Sequence, residues 1–195
     1  AEARPMALFV GRVAHEKNIG FLLEALVHAL KARPDTLLVI AGEGPAMADL
    51  KAQTVALGVE ASVQFIGYLD RKQALPDCYA AADVFVFASR TETQGLVLLE
   101  AMAAGVPVIA LSEMGTTDIL APGRGAFSPP ANQQAFGEML GHFLAQPEVW
   151  RHLKDEAPIY AREWSDVAMA ERLARLYRQL ADLKIGQKLP LTAAA

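Results

Sequence analysis

Ala82-Asp83-Val84-Phe85-Val86-Phe87-Ala88-Ser89, continued by Arg90-Thr91-Glu92-Thr93-Gln94-Gly95-Leu96-Val97-Leu98-Leu99-Glu100-Ala101-Met102-Ala103-Ala104-Gly105-Val106-Pro107-Val108-Ile109-Ala110, decides the fold. Val84 to Ala88 is apolar without alternation, which suits a strand covered on both faces. Gly95 to Ala104 reads as a helix, and Val106 to Leu111 as a second buried strand. A strand, a helix and a strand in that order make a unit whose strands run parallel. Two glutamates, Glu92 and Glu100, stand eight positions apart around Gly95. With a helix starting near Gly95, the neighbours of Glu100 one turn away are Leu96, Val97, Ala103 and Ala104, so its carboxylate is expected on an apolar face. Burying it there unpaired would cost several kcal/mol, so it needs a side chain, backbone donors or a ligand's hydroxyls as partner.

The same alternation extends outward in both directions. Met6 to Val10, Thr36 to Ala41 and Ser62 to Ile66 are short apolar runs bounded by Gly, Pro or Asp. Helical patterns lie between them at Ile19 to Ala32, Pro45 to Leu57 and Gln73 to Ala81. Gly125-Ala126-Phe127 reads as a final short strand, followed by helices at Asn132 to Ala145, Glu148 to Arg162 and Asp166 to Leu183, the last capped by Ser165. The fold class is α/β: a Rossmann-like doubly wound parallel sheet with C-terminal helices. Such sheets bind ligands outside the carboxyl ends of their strands, where the loops after Val10, Ala41, Ile66, Ala88 and Leu111 collect.

Composition narrows the function classes. A chain of 195 residues with 53% hydrophobic content suits one full domain with appendages. We expect a domain over residues 1 to 164, a helix over 165 to 183 and a loosely ordered tail over 184 to 195. The net charge of -4 argues against nucleic acid as partner. No apolar run approaches the roughly 20 residues of a membrane span. The single cysteine, Cys78, cannot close an internal disulfide, which suits a cytoplasmic setting and a filler role. His15, His28, His142 and His152 are scattered, and no group has metal-ligand spacing, so no metal is expected.

Three segments on the ligand rim carry chemistry. Gly11-Arg12-Val13-Ala14-His15-Glu16-Lys17 leaves a strand end with two long cations that can converge on a diphosphate, or stand solvated. Gly95-Leu96-Val97 opens a helix whose free N–H groups and positive dipole end suit a phosphate. Gly42-Glu43-Gly44-Pro45 resembles a dinucleotide fingerprint, but Met47 stands where the third glycine belongs. Pro45 is better read as a first helical residue after a tight turn, which disfavours a nicotinamide dehydrogenase.

Taken in order, Val10-Gly11-Arg12 with Lys17, Gly42-Glu43-Gly44-Pro45, Phe65-Ile66-Gly67, Ala82 to Ser89, and the Glu92/Glu100 pair followed by Ala101-Met102-Ala103-Ala104-Gly105-Val106-Pro107-Val108 resemble the C-terminal half of a group 1 (family 4) retaining glycosyltransferase. The resemblance covers roughly residues 6 to 128. It implies one half of a GT-B architecture, the half that binds a nucleotide-sugar donor. Glu100 would hold the ribose hydroxyls and Glu92 the transferred sugar. Arg12 and Lys17 would stabilise the diphosphate leaving group without a metal. Gly11 and the backbone of Gly95, Leu96 and Val97 would complete the phosphate site, and Tyr68 and Leu69 would border the base.

UDP-glucose is the donor such a resemblance favours, with GDP-mannose next. The sequence departs from the family pattern at Asn18, which replaces the usual glycine after the lysine. It departs again at Met114-Gly115-Thr116-Thr117-Asp118, which stands for a Gly-Gly-x-x-Glu run. Thr93-Gln94-Gly95 replaces the commoner Gly-aromatic-Gly, and Thr91-Glu92-Thr93-Gln94-Gly95 is similar to members that glycosylate lipid acceptors such as diacylglycerol. An N-terminal acceptor-binding half is expected elsewhere, so the chain alone is expected to transfer no sugar. The last helix, with Trp164, Leu173, Leu176, Tyr177 and Leu180, would cross to that half or pack on its own sheet. Peripheral contact with the inner membrane would run through the full-length protein. The rival readings are a sugar-nucleotide epimerase or phosphorylase of the same architecture, and a pure binding module.

Overall fold

The computed structural model describes residues 4–186. Six strands form one parallel sheet: β1 (Met6–Val10), β2 (Leu37–Ala41), β3 (Val63–Gly67), β4 (Val84–Phe87), β5 (Val108–Ala110) and β6 (Ala126–Phe127). Their order is β3-β2-β1-β4-β5-β6. The chain therefore winds outward from β1 in one direction, returns, and winds outward from β4 in the other. β1 and β4 pair at Ala7 with Val84 and Leu8 with Phe85, and this pair is the switch point of the sheet.

β4 is buried along its length and β1 at Ala7, Leu8 and Phe9, as their unbroken apolar runs require. Phe9 stacks on Phe87 at 6.0 Å and Phe87 on Phe85 at 6.2 Å, so aromatic rings lock the two halves of the sheet together. The crossovers are α1 (Ile19–Ala32), α2 (Met47–Leu57), α3 (Ala74–Ala81), α4 (Leu96–Ala103) and the one-turn α5 (Thr117–Leu120). Then follow α6 (Gln133–Ala145), α7 (Arg151–Arg162) and α8 (Asp166–Gly186). Asn132 caps α6 by accepting from the Ala135 N–H at 2.8 Å.

Two local expectations are corrected and one unassigned segment is filled in. Pro45 is not the first residue of α2; it stands in a turn, and the helix opens at Met47 after Ala46. After β5 a 3-10 turn, Met114–Thr116, leads into α5, two elements that the sequence pattern does not assign. The last helix runs through Gly186, beyond Leu183, because nothing in Lys184-Ile185 breaks it; residues 187–195 of the expected tail lie outside the described residues.

The chain divides into two compact units between Ala161 and Arg162. In the second, Ser165 accepts from the Ala168 N–H at 3.2 Å and starts α8. Leu173, Leu176, Tyr177 and Leu180 are exposed along α8 at one-turn spacing, forming an apolar stripe.

Candidate functional site

The site is built from the loops that leave the carboxyl ends of the strands. They are stitched to one another by backbone bonds: Gly11 N–H to Ala41 O at 3.0 Å, Val13 N–H to Glu43 O at 2.9 Å and Gly42 N–H to Gly67 O at 2.7 Å. Gly42 is glycine because a Cβ there would collide with the carbonyl of Gly11. The Gly-Glu-Gly run thus serves the contact between two loops.

Across the switch point, Lys17 Nζ donates to Glu92 Oε2 at 2.9 Å. Lys17 ends a 3-10 turn, His15–Lys17, and the chain then passes through Asn18 at φ 55 and ψ 35. Asparagine tolerates that left-handed conformation, which explains how it replaces a glycine. Its side-chain amide donates to Ala88 O at 3.2 Å and ties the loop to the end of β4.

Glu92 Oε1 also takes the N–H groups of Gln94 and Gly95, at 3.4 and 3.3 Å. Burial raises the Glu92 carboxyl, but the hydrogen bonds from Lys17, Gln94 and Gly95 outweigh it, and the net shift is downward. Immediately beyond, the Leu98 N–H closes on Gly95 O at 3.0 Å. Leu96 and Val97, the first two residues of α4, keep their N–H groups without a protein acceptor among the described residues, at the positive end of the helix.

The loop after β5 buttresses this arrangement. The Gly115 N–H donates to Glu92 O at 3.0 Å, and a Cβ on Gly115 would collide with Thr93 O. Met114, at φ 51 and exposed, stands before it in the left-handed region where a glycine is usual. Asp118 is exposed on α5.

A cavity of about 270 Å³ opens on the β1, β2 and β3 side, lined among others by Gly11, Arg12, Glu43, Tyr68, Leu69 and Arg71. Between the lining residues Leu69 and Arg71, the Asp70 carboxylate accepts from the N–H groups of Lys72, Gln73 and Ala74 at 3.0, 3.0 and 3.3 Å and fixes the turn into α3. The Gln73, Lys72 and Ala74 N–H groups hold that carboxyl below its ordinary range.

Arg12 and Lys17 do not share a partner. Lys17 is 22% exposed and paired to Glu92, whereas Arg12 is 66% exposed on the cavity wall and 3.6 Å from Glu16. Glu100 also differs from expectation. The buried face of α4 is Leu98, Ala101 and Met102, while Leu96, Ala103 and Ala104 are exposed. Glu100 therefore sits on the open side of the helix, 37% exposed, and no apolar burial forces a partner on it. It nevertheless has two: Tyr79 Oη donates to Oε2 at 3.1 Å, and Arg71 Nη1 lies 3.8 Å from Oε1.

Sequence reasoning missed Tyr79, Arg71 and Asp70. Tyr79 had a usable signal, since Leu75 and Tyr79 fall one turn apart on the buried face of α3 and a buried phenol needs an acceptor. Arg71 and Asp70 had none, being two charges in a polar turn. Among the described residues no cluster of His, Cys, Asp and Glu could hold a metal ion, and no helix is long and apolar enough to cross a membrane.

A parallel six-stranded sheet of this order, with its ligand loops gathered over the switch point, is a Rossmann-like domain of the kind that makes up half of a GT-B glycosyltransferase. Residues 1–160 match the model of the Glycosyl transferases group 1 family, and the chain belongs to that family. It is 30% identical over 179 residues to alpha-D-kanosaminyltransferase of Streptomyces kanamyceticus, covering 91% of this chain and 46% of that protein. To alpha-monoglucosyldiacylglycerol synthase of Streptococcus pneumoniae it is 34% identical over 149 residues, 76% of this chain and 34% of that protein.

Among solved structures, sucrose-phosphate synthase of Thermosynechococcus elongatus superposes with a TM-score of 0.76 at 29% identity, over 92% of this chain and 46% of that one. Anabaena HepE, solved with UDP and glucose, shares the fold with a TM-score of 0.78 at 22% identity, over 91% and 49%. The chain thus spans between 34% and 49% of the length of these four proteins.

Proposed function

We propose that this chain is the donor-binding half of a retaining, family 4 glycosyltransferase that moves a hexose from a nucleoside diphosphate sugar to a glycan or lipid acceptor. The observation that carries the reading is the Lys17–Glu92 pair, closed at 2.9 Å over the switch point beside the free N–H groups of Leu96 and Val97. A cation, two unpartnered N–H groups and a helix dipole converge there, which is the equipment a diphosphate needs. Lys17 and Arg12 stabilise the departing diphosphate, and Gly11 and Gly95 let it approach. Glu92 faces the sugar hydroxyls, Glu100 accepts from the ribose, and Tyr68 and Leu69 border the base. No metal is required, because the two cations supply the neutralising charge.

The preferred donor is UDP-glucose, with GDP-mannose second, and the acceptor is held by a second domain of a longer cytoplasmic protein. The exposed stripe of α8 supports a role for that helix against such a domain. Likeness to a glucosyldiacylglycerol synthase supports a lipid acceptor, with membrane contact made at the periphery by the full-length protein. Calorimetry with UDP, GDP and ADP tests the reading: one of them binds in the micromolar range, and no binding of any at millimolar concentration overturns it. Incubated with donor and lipid acceptor, the chain alone releases no glycosylated product.

A further inference from the structure

Tyr79 is 4% exposed on α3, and its ring packs on Phe85 with centroids 5.9 Å apart. A phenylalanine would fill the same space. The hydroxyl adds nothing to that packing, and burying it is costly unless it finds an acceptor. The acceptor it finds is Glu100 Oε2, at 3.1 Å on the neighbouring helix. The terminal torsion of a glutamate is broad, so an unheld carboxylate would turn freely. With Oε2 held, Oε1 is left facing Arg71, which lines the cavity beside Tyr68 and Leu69. Arg71 is 76% exposed and 3.8 Å away, a weak contact that a ligand can displace.

We propose that Tyr79 is a positioning residue for the nucleotide: it fixes the Glu100 carboxylate so that Oε1 stands at the cavity edge as acceptor for the vicinal hydroxyls of the ribose. The proposal rests on the reading of Glu100 as the ribose anchor. Burial and the charge of Glu100 push the Tyr79 phenol well above its ordinary ionisation range, so it remains a donor at neutral pH. Arg71 meanwhile keeps Oε1 from being unpaired before the ligand arrives.

The test is a cycle of two proteins and two ligands, read by calorimetry on the full chain. Whichever of UDP, GDP and ADP binds is compared with its 2′,3′-dideoxy counterpart, in the wild-type protein and in Tyr79→Phe. The wild type favours the ribonucleotide. Tyr79→Phe weakens the ribonucleotide about five-fold and the dideoxy form less than about two-fold, because only the hydroxyl contact is lost. Arg71→Ala keeps or widens the wild-type ratio.

A wild-type ratio that survives unchanged in Tyr79→Phe overturns the inference and leaves the ribose role of Glu100 standing. Equal weakening of both ligands, with a lowered melting temperature, makes Tyr79 a packing residue and also overturns it. A wild type that cannot tell the two nucleotides apart removes the ribose role of Glu100 and the inference with it.

Discussion

The Glu92 and Glu100 regions hold the same functional group in opposite ways. Glu92 lies in a loop at the switch point and is bound by a cation and two backbone N–H groups. Glu100 lies on a helix and is bound by a neutral phenol, with a distant guanidinium beside it. The first arrangement neutralises charge, and the second sets direction. A carboxylate locked to an ammonium marks a place where negative charge is managed, as departure of a diphosphate demands. A carboxylate aimed by a hydroxyl suits uncharged hydroxyl donors, as a sugar ring offers.

The largest effect expected from this contrast is at Lys17. On the proposed reading Lys17→Met removes the diphosphate contact, and it strands Glu92, so nucleoside diphosphate affinity falls about 100-fold by calorimetry. Glu100→Ala, on the same reading, removes only hydroxyl contacts and costs about ten-fold in the same titration. Should the two come out in the reverse order, the division of labour between the regions is wrong.

A smaller effect concerns the ion pair itself. Lys17 and Glu92 are 22% and 19% exposed, and a double-mutant cycle of Lys17→Met with Glu92→Gln in urea unfolding gives a coupling of about 1 kcal/mol. A coupling near zero means the pair is closed without being strong.

The smallest effect is on pH dependence. The folded Glu92 carboxyl lies below its ordinary value of 4.5, so its contribution to stability is complete above pH 4.5 and is lost as the pH falls through the folded value. Urea unfolding of wild type and Glu92→Gln at about pH 6 and about pH 3.5 therefore converges at the lower pH, by a few tenths of a kcal/mol. Divergence there places the downward shift on another group.

The apolar runs made the strands legible, because a strand buried on both faces has no room for polar alternation and β1 and β4 have none. The parallel, doubly wound character of the sheet and the ligand rim followed from the alternation of strands and helices, whereas the strand order β3-β2-β1-β4-β5-β6 came only with the structure. Glu100 was singled out for a wrong reason. An apolar neighbourhood on the helix was taken for burial, whereas Leu96, Ala103 and Ala104 are exposed and the packed face is Leu98, Ala101 and Met102. Small apolar residues give a one-helix pattern too little contrast to say which side faces the sheet.

What the amino-acid sequence determined by itself is periodic or local: the α/β alternation, the glycine at the start of α4, the cap of α8 by Ser165, and which loops carry charge. What only the tertiary structure decided is pairing. Lys17 and Glu92 are 75 positions apart in the chain, and Tyr79 and Glu100 are 21 apart. Neither partner carries a mark of the other, because a side-chain hydrogen bond forms over about 3 Å of space and leaves no period in the sequence. Only the winding of the sheet, which brings the end of β1 against the end of β4 and α3 against α4, chooses a cation for one glutamate and a phenol for the other.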